Sequence, residues 1–252
     1  MRLGQRIGVV IPALNEEDAI AKVIGDVPDW VDETIVANNG SRDGTAEQAQ
    51  AAGARVVSEP EPGYGGACLA GIAALENADV VVFLDGDYSD YPEEMANLVD
   101  PIAKGEVDMV IGSRVTGESE AGSLTLPQQF GNWLATRLIR LIWGHHYTDL
   151  GPFRAIAMPA LEQLQMADRN FGWTVEMQVR AAEEGLAVRE VPVRYRQRIG
   201  VSKVSGTVSG SVKAGVKILY IIGRQAIFRV FPPRARGGPP SQPRAPRRDS
   251  SL

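Results

Sequence analysis

Short apolar runs, rich in β-branched residues, recur through the first half of the chain. They are Ile7–Ile11, Glu33–Asn38, Ala54–Ser58, Val80–Asp85 and Met109–Gly112. Four of them are nearly continuous in apolar residues, the pattern of strands covered on both faces. Between them lie stretches with helical spacing: Glu16–Gly25, Thr45–Ala52, Gly65–Leu75 and Pro92–Ala103. This alternation predicts βαβ crossovers and an α/β fold, a doubly wound, mostly parallel sheet flanked by helices. Ligands of such sheets collect beyond the carboxyl ends of the strands. The residues to inspect are therefore 12–17, 38–44, 59–66, 85–90 and 113–114.

The second half is less regular. Residues 116–128 are polar with Gly and Ser, which predicts a mobile loop. Gln129–Trp143 places Phe130, Trp133, Leu134, Leu138, Leu141 and Ile142 at spacings of an amphipathic helix. Phe153–Met158 and Val188–Tyr195 read as strands, with a helix over Trp173–Glu184 between them. A C-terminal amphipathic helix is expected from about Thr207 to Phe231. From Pro232 onward six of 21 residues are proline and five are arginine, so this tail is expected to be disordered.

A chain of 252 residues is long enough for one large α/β domain or two small ones with a sizeable core. The single cysteine, Cys68, excludes an intramolecular disulfide framework and makes a reducing compartment the default. The first residues lack the basic-then-apolar start of a signal peptide. The longest apolar stretch, Ile218–Phe231, carries Arg224 and Arg229 and is too short for a bilayer span. Charge is distributed unevenly. Residues 1–190 hold 13 basic and 30 acidic residues, whereas 191–252 hold 13 basic residues and one acid, Asp249. A basic C-terminal part suits an anionic partner: phosphates, a membrane surface or nucleic acid.

The chemistry concentrates at the strand ends. Leu84-Asp85-Gly86-Asp87 closes an apolar strand with two carboxylates one residue apart. Two hard oxygen ligands there can hold Mg²⁺ or Mn²⁺ and leave positions for diphosphate oxygens; solvated turn aspartates are the alternative. In Pro12-Ala13-Leu14-Asn15-Glu16-Glu17, Asn15 is placed to cap the next helix, with Glu16 and Glu17 in its first turn. Glu16 could also accept a hydrogen bond from a base or ribose. Asn38-Asn39-Gly40-Ser41-Arg42-Asp43-Gly44 is turn chemistry, with amides able to read a nucleobase edge. Glu61-Pro62-Gly63-Tyr64-Gly65-Gly66 is a glycine-rich helix entry whose backbone N–H groups suit an anion, although it is neither a Walker loop nor a dinucleotide fingerprint. Arg194, Arg196 and Arg198 alternate at strand spacing and share a face, either for an anion or as a solvated edge strand. Lys213, Lys217 and Arg224 fall within about 40° on a helical wheel, a face suited to an anionic membrane surface or to packing on the core. The adjacent His145 and His146 make a poor paired metal site.

Taken in order, these segments resemble the inverting glycosyltransferases of family 2, which have the GT-A fold, and within them the dolichyl- or polyprenyl-phosphate sugar synthases. Ile111-Gly112-Ser113-Arg114, Asp149-Leu150-Gly151-Pro152-Phe153-Arg154, Trp173-Thr174-Val175-Glu176 and Arg198-Ile199-Gly200-Val201-Ser202-Lys203 extend the resemblance to about residue 220. It implies a nucleotide-sugar-binding half over 1–115 and an acceptor-binding half over 116–231, followed by the tail, 232–252. It implies that Pro12, Leu14, Glu16, Asn38, Asn39, Asp85 and Arg114 bind a UDP- or GDP-hexose. Asp85 and Asp87 would hold Mg²⁺ or Mn²⁺, and Asp87, Arg198, Lys203 and Asp149 would be catalytic. Two positions depart from the family. Asn38-Asn39 replaces its usual Asp-Asp, and Ser89 stands where the polyprenyl branch often has Gln.

The resemblance implies transfer of a hexose to a polyprenyl phosphate on the cytoplasmic face of a membrane. A phosphate monoester, with a second pKa of about 6, is already nucleophilic at neutral pH and needs no strong base. A hydroxyl acceptor would need one, with Asp149 or Glu176 as candidates, each otherwise a helix-end or helix-surface residue. A binding protein without catalysis is a third reading. Nucleic acid is disfavoured, because the arginine-rich tail lacks interleaved aromatic residues.

Overall fold

Strand β1, Ile7–Ala13, is buried along its whole length. It pairs in parallel with β2, Glu33–Asn38, on one side and with β4, Val80–Phe83, on the other. Adding β3 (Arg55–Ser58), β5 (Met109–Ser113), β6 (Arg154–Ala157) and β7 (Val188–Pro192) gives a seven-stranded sheet of order β3-β2-β1-β4-β6-β5-β7. The computed structural model describes residues 1–200 and 208–230, with side chains of the last helix described over 215–227. The expected disordered tail and Lys203 therefore lie outside the described residues.

The strands fall within two residues of the sequence expectation at most ends. The sheet is mostly parallel, as expected, and one strand direction is added by the structure. β6 is inserted antiparallel between β4 and β5, so those strands are not neighbours. Nothing in a strand's own composition states its direction, and a four-residue buried run fits either. Successive residues of β1 and β4 alternate between two cores. Val10, Val81 and Phe83 join Met109, Ile111 and Trp173 on one face. Val9, Ile11, Val80 and Val82 join Ile20, Met95 and Leu98 on the other.

The helices are α1 (Ile20–Gly25), α2 (Thr45–Ala51), α3 (Tyr64–Ala74), α4 (Met95–Ala103, after a 3₁₀ turn at Pro92–Glu94), α5 (Leu126–Trp143), α6 (Met158–Leu164), α7 (Trp173–Glu183) and α8 (Val208–Val230). The seven-residue α6 carries little periodicity and escaped the sequence reading. Helix α1 starts later than expected, and Asn15 does not cap it. Asn15 has φ of 53°, accepts from the Arg42 N–H through Oδ1 (2.8 Å), and donates its own N–H to Ser41 Oγ (2.9 Å). The Glu16 carbonyl instead accepts the N–H of Ile20, at 2.8 Å. A loop distant in sequence has claimed the capping side chain.

The stretch 116–128 is tied down rather than loose. Ser119 bridges to Tyr195, the Glu120 N–H donates to the Tyr195 carbonyl (2.8 Å), and Glu120 accepts from the Gln197 N–H (2.8 Å). Its last residues enter α5 through a capping box of Thr125 and Gln128.

Candidate active site

The C-terminal ends of β1 and β4 open into two cavities. The smaller, about 330 Å³, lies between Pro12, Leu14, Glu16, Asn39, Tyr64 and the loop residues Asn170 and Phe171. The larger, about 910 Å³, is bounded by Arg114, Asp149, Tyr195, α5 residues such as Trp133 and Arg137, and Ile218 of α8. Asp85, Asp87 and Arg198 line both. These three side chains are the shared wall.

Asp87 is held on both oxygens. Its Oδ1 accepts from the Ser89 N–H (2.9 Å) and hydroxyl (2.5 Å), and its Oδ2 faces Arg198 Nη1 at 3.1 Å. Arg198 also reaches Glu16 Oε1 through Nη2 at 2.9 Å, so one guanidinium joins the ends of β1 and β4. Its Nε is buried without a partner. Asp85 accepts from the Tyr64 hydroxyl at 3.0 Å. Burial, and then the neighbouring Asp87, raise the Asp85 carboxyl to about 6. Burial, Asp85 and Asp87 together push Asp90 well above the carboxylate range, and its Oδ1 has no partner.

Carboxylates crowded in this way favour a cation. Among the described residues no group of three or more His, Cys, Asp or Glu could hold a metal ion. Two carboxylates suffice for Mg²⁺ or Mn²⁺ when diphosphate oxygens and water complete the shell. Asp85 and Asp87 therefore fit a divalent cation that arrives with its ligand.

Arg114 donates to Asp149 three times: N–H and Nε to Oδ2, both 2.8 Å, and Nη2 to Oδ1 at 2.7 Å. Burial alone would raise Asp149, but the Arg114 guanidinium overrides it and holds the carboxyl below its usual value. Asp149 thus has the geometry of an anchor for Arg114, which stacks over the Tyr195 ring at 5.0 Å. Glu176 is fully buried, not on a helix surface, and lines neither cavity. Its carboxylate accepts from the N–H groups of Ala167 (3.1 Å) and Asp168 (2.7 Å) and pairs with Arg180 (3.0 Å).

At the glycine-rich entry to α3 the N–H groups of all three glycines are engaged within the protein rather than open to an anion. Gly63 donates to Asn39 Oδ1 (2.8 Å), Gly65 to the Asn170 carbonyl (3.2 Å) and Gly66 to the Arg169 carbonyl (2.9 Å). Glycine is required here by close packing. A Cβ on Gly65 would lie 2.0 Å from the Asp168 carbonyl oxygen. Asn39 lines the smaller cavity, but its amide is engaged with the carbonyls of Glu59 (3.0 Å) and Glu61 (2.8 Å). Asn38 accepts from the Ser41 N–H (3.0 Å) and is not among the lining residues.

The arginine series is not a solvated edge strand. β7 ends at Pro192, and the following residues run beside 87–94. Arg194 pairs with Glu93 and Glu94, while Arg196 stacks on Tyr88 at 3.3 Å and Tyr91 at 4.2 Å. Only Arg198 of the three reaches the cavities.

The model of the glycosyl transferase family 2 matches residues 8–164. The chain belongs to this family. An uncharacterised glycosyltransferase of Mycobacterium bovis is 36% identical over 214 residues, 84% of this chain and 95% of the relative. The dolichyl-phosphate hexose transferase of Haloferax volcanii is 33% identical over 84% of this chain and 93% of its own length. The undecaprenyl-phosphate mannosyltransferase of Micrococcus luteus is 29% identical over 84% and 92%. Among solved structures, glucosyl-3-phosphoglycerate synthase of Mycobacterium tuberculosis, in complex with Mn²⁺, UDP and glucosyl-3-phosphoglycerate, superposes with a TM-score of 0.70 at 28% identity, covering 87% of this chain and 81% of that one. The fold of this glycosyltransferase is thus of GT-A type.

Several residues that line the smaller cavity of this glycosyltransferase were not among those singled out in the sequence. Tyr64 lies inside the glycine-rich motif, and its hydroxyl could have been noticed. Asn170 and Phe171 carry no signal in the sequence, because only the packing of their loop on α3 brings them to the smaller cavity.

Proposed function

We propose that this glycosyltransferase is a metal-dependent, inverting hexosyltransferase that moves a sugar from a UDP- or GDP-hexose to a polyprenyl phosphate on the cytoplasmic face of a membrane. The carrying observation is the wall of Asp85, Asp87 and Arg198 common to two cavities. A donor in the smaller cavity and an acceptor in the larger would meet there. The donor half would be 1–115 and the acceptor half 116–231.

Pro12, Leu14 and Glu16 would flank the nucleotide, with Tyr64 fixing Asp85. A divalent cation at Asp85 and Asp87, as Mn²⁺ or Mg²⁺ accompanies UDP in the mycobacterial synthase, would offset the charge of the departing diphosphate. Arg198 would shift from carboxylate to phosphate oxygens when the donor enters, and Arg114 would steady the same charge from the other side of the wall. Lys203 would add to this but lies outside the described residues. Attack from the larger cavity would reach the anomeric carbon opposite the leaving group and invert it.

The acceptor class rests on two observations. Asp149 is occupied by Arg114 and Glu176 is sealed in the core, so neither candidate base is free to deprotonate a hydroxyl. The larger cavity also adjoins exposed apolar residues. Leu126, Phe130, Trp133 and Leu141 form a stripe along α5, and Val216, Leu219, Tyr220 and Ile227 are exposed on α8, which packs against it. Among the described residues no helix is long and apolar enough to cross a membrane. An apolar ridge beside the cavity and a basic C-terminal segment suit a lipid surface.

A second reading has an acceptor with a soluble hydroxyl, favoured by the likeness to a synthase crystallised with phosphoglyceric acid. The test is a screen of UDP- and GDP-hexoses with Mn²⁺ against a short polyprenyl phosphate and 3-phosphoglycerate. Product on the lipid phosphate, with inverted anomeric configuration, supports the first reading. Product on phosphoglycerate alone overturns it in favour of the second.

A further inference from the structure

Two basic side chains of α8, Lys217 and Arg224, turn toward the core. Lys217 Nζ lies 2.7 Å from Asp168 Oδ2, and Arg224 Nη2 lies 3.6 Å from Glu176 Oε1. Both carboxylates are buried. Of the three cations expected on one face, Lys217 and Arg224 do share a side, but their partners are acids of the core, and the side chain of Lys213 lies outside the described residues; Val216, Leu219, Tyr220 and Ile227 are exposed, whereas Ile221 and Ile222 are buried.

Asp168 opens the loop that walls the smaller cavity. Its Oδ1 accepts from the N–H groups of Asn170 (2.8 Å) and Gly172 (3.0 Å), which sets the loop's shape. The loop carbonyls of Arg169 and Asn170 in turn take the N–H groups of Gly66 and Gly65 at the start of α3. On its far side the loop lies against α8: a Cβ on Gly172 would meet Ile221 Cδ1 at 2.7 Å. Asn170 and Phe171 are thereby presented to the cavity.

We infer that α8 is a strut for the donor pocket, and that Lys217 is a positioning residue which, through Asp168, holds Asn170 and Phe171 against the nucleotide. This rests on the reading of the smaller cavity as the donor site. Lys217 itself touches no part of that cavity. The same helix carries the exposed apolar residues that the proposed function places at a lipid surface. A helix that both docks and props the pocket makes donor affinity depend on how α8 is seated.

The test uses the full chain with Lys217→Ala and Lys217→Arg. Calorimetric titration with UDP and with GDP, in Mn²⁺, reads nucleotide affinity. Hydrogen exchange reads the amides of Asn170 and Gly172. In Lys217→Ala the nucleotide Kd and the donor KM are expected to rise about tenfold, with kcat within about twofold and acceptor KM unchanged. The two amides exchange faster, and Lys217→Arg restores wild-type values. A Lys217→Ala chain whose nucleotide affinity and exchange match wild type overturns the strut alone. A wild-type chain that binds neither nucleotide overturns the donor-pocket reading, and this inference with it. Lys217→Arg behaving as badly as Lys217→Ala also overturns it, because a retained charge should keep the pair.

Discussion

Arg198 Nη1 stands 3.1 Å from Asp87 Oδ2, a cation from beyond the last strand set against a carboxylate at the end of β4. The arrangement stores, next to the acids, a positive charge that a diphosphate can recruit. Arg198→Ala should lower kcat by about 10²–10³-fold, the usual loss when one preorganised donor to a developing charge is removed. Arg198→Lys should fall between, since a lysine keeps the charge but not the two-pronged bridge to Glu16 and Asp87. Steady-state rates at saturating donor check this, and an unchanged kcat would reduce Arg198 to a structural tie.

The Asp85 carboxyl, raised to about 6, gives a pH signature. The folded, metal-free chain takes up this proton at a higher pH than the unfolded chain, whose value is 3.8. The stabilisation is complete below the unfolded value and disappears as pH rises through about 6. Mn²⁺ binding runs the other way, because it needs the ionised form. Melting curves at about pH 5 and about pH 7.5 should show a larger Mn²⁺ shift at the higher pH. Tyr64→Phe, which removes a hydrogen bond that lowers Asp85, should move the midpoint of this dependence upward. A shift of equal size at both pH values would refute the assignment.

Asp149→Asn separates an anchor from a base. The Asp149 side chain is 1% exposed and that of Arg114 13%. Removing one charge from so buried a pair costs about 3–5 kcal/mol, hence a melting point lower by roughly 10 °C. If Asp149 only orients Arg114, the surviving rate keeps the wild-type pH profile. Loss of the acid limb of that profile, where the rate rises with pH, would instead identify it as the general base.

Leu141 and Phe130 are 81% and 62% exposed, so charging them should not disturb the core. Leu141→Glu with Phe130→Glu should melt with the wild type and lose binding to phosphatidylglycerol vesicles in a flotation assay. Vesicle binding that survives both changes would place the docking surface elsewhere.

Gly65→Ala tests the contact between α3 and the 168–170 loop. With the Asp168 carbonyl oxygen 2.0 Å from the new Cβ, the backbone must part. Destabilisation of about 1–3 kcal/mol is expected, together with weaker nucleotide binding, by denaturant titration and calorimetry. An undisturbed Gly65→Ala would mean that the loop is not clamped.

Much of the site was legible because strand ends announce themselves. Val80–Phe83 is apolar and Asp85-Gly86-Asp87 is not, so the carboxylates had to emerge where the sheet stops. Pro12 and Glu16 followed from the same logic on β1. Three expectations failed for a common reason. Asn15 as a cap, free N–H groups at Gly63, Gly65 and Gly66, and Lys217 and Arg224 turned to a membrane surface were each plausible locally. Each group instead bonded to a segment remote in sequence: residues 41–42, Asn39 with 169–170, and Asp168 with Glu176.

By itself the chain determined its alternation of strand and helix, the acids at the mouth of β4, and the shared face of Lys217 and Arg224, because periodicity and turn chemistry act within a few residues. The folded molecule decided the antiparallel insertion of β6, the capture of Asp149 by Arg114, the burial of Glu176, and the inward turn of Lys217 and Arg224. A charged group is stable only beside a partner of opposite sign or in water, and which of these it meets is set by contacts across the whole fold.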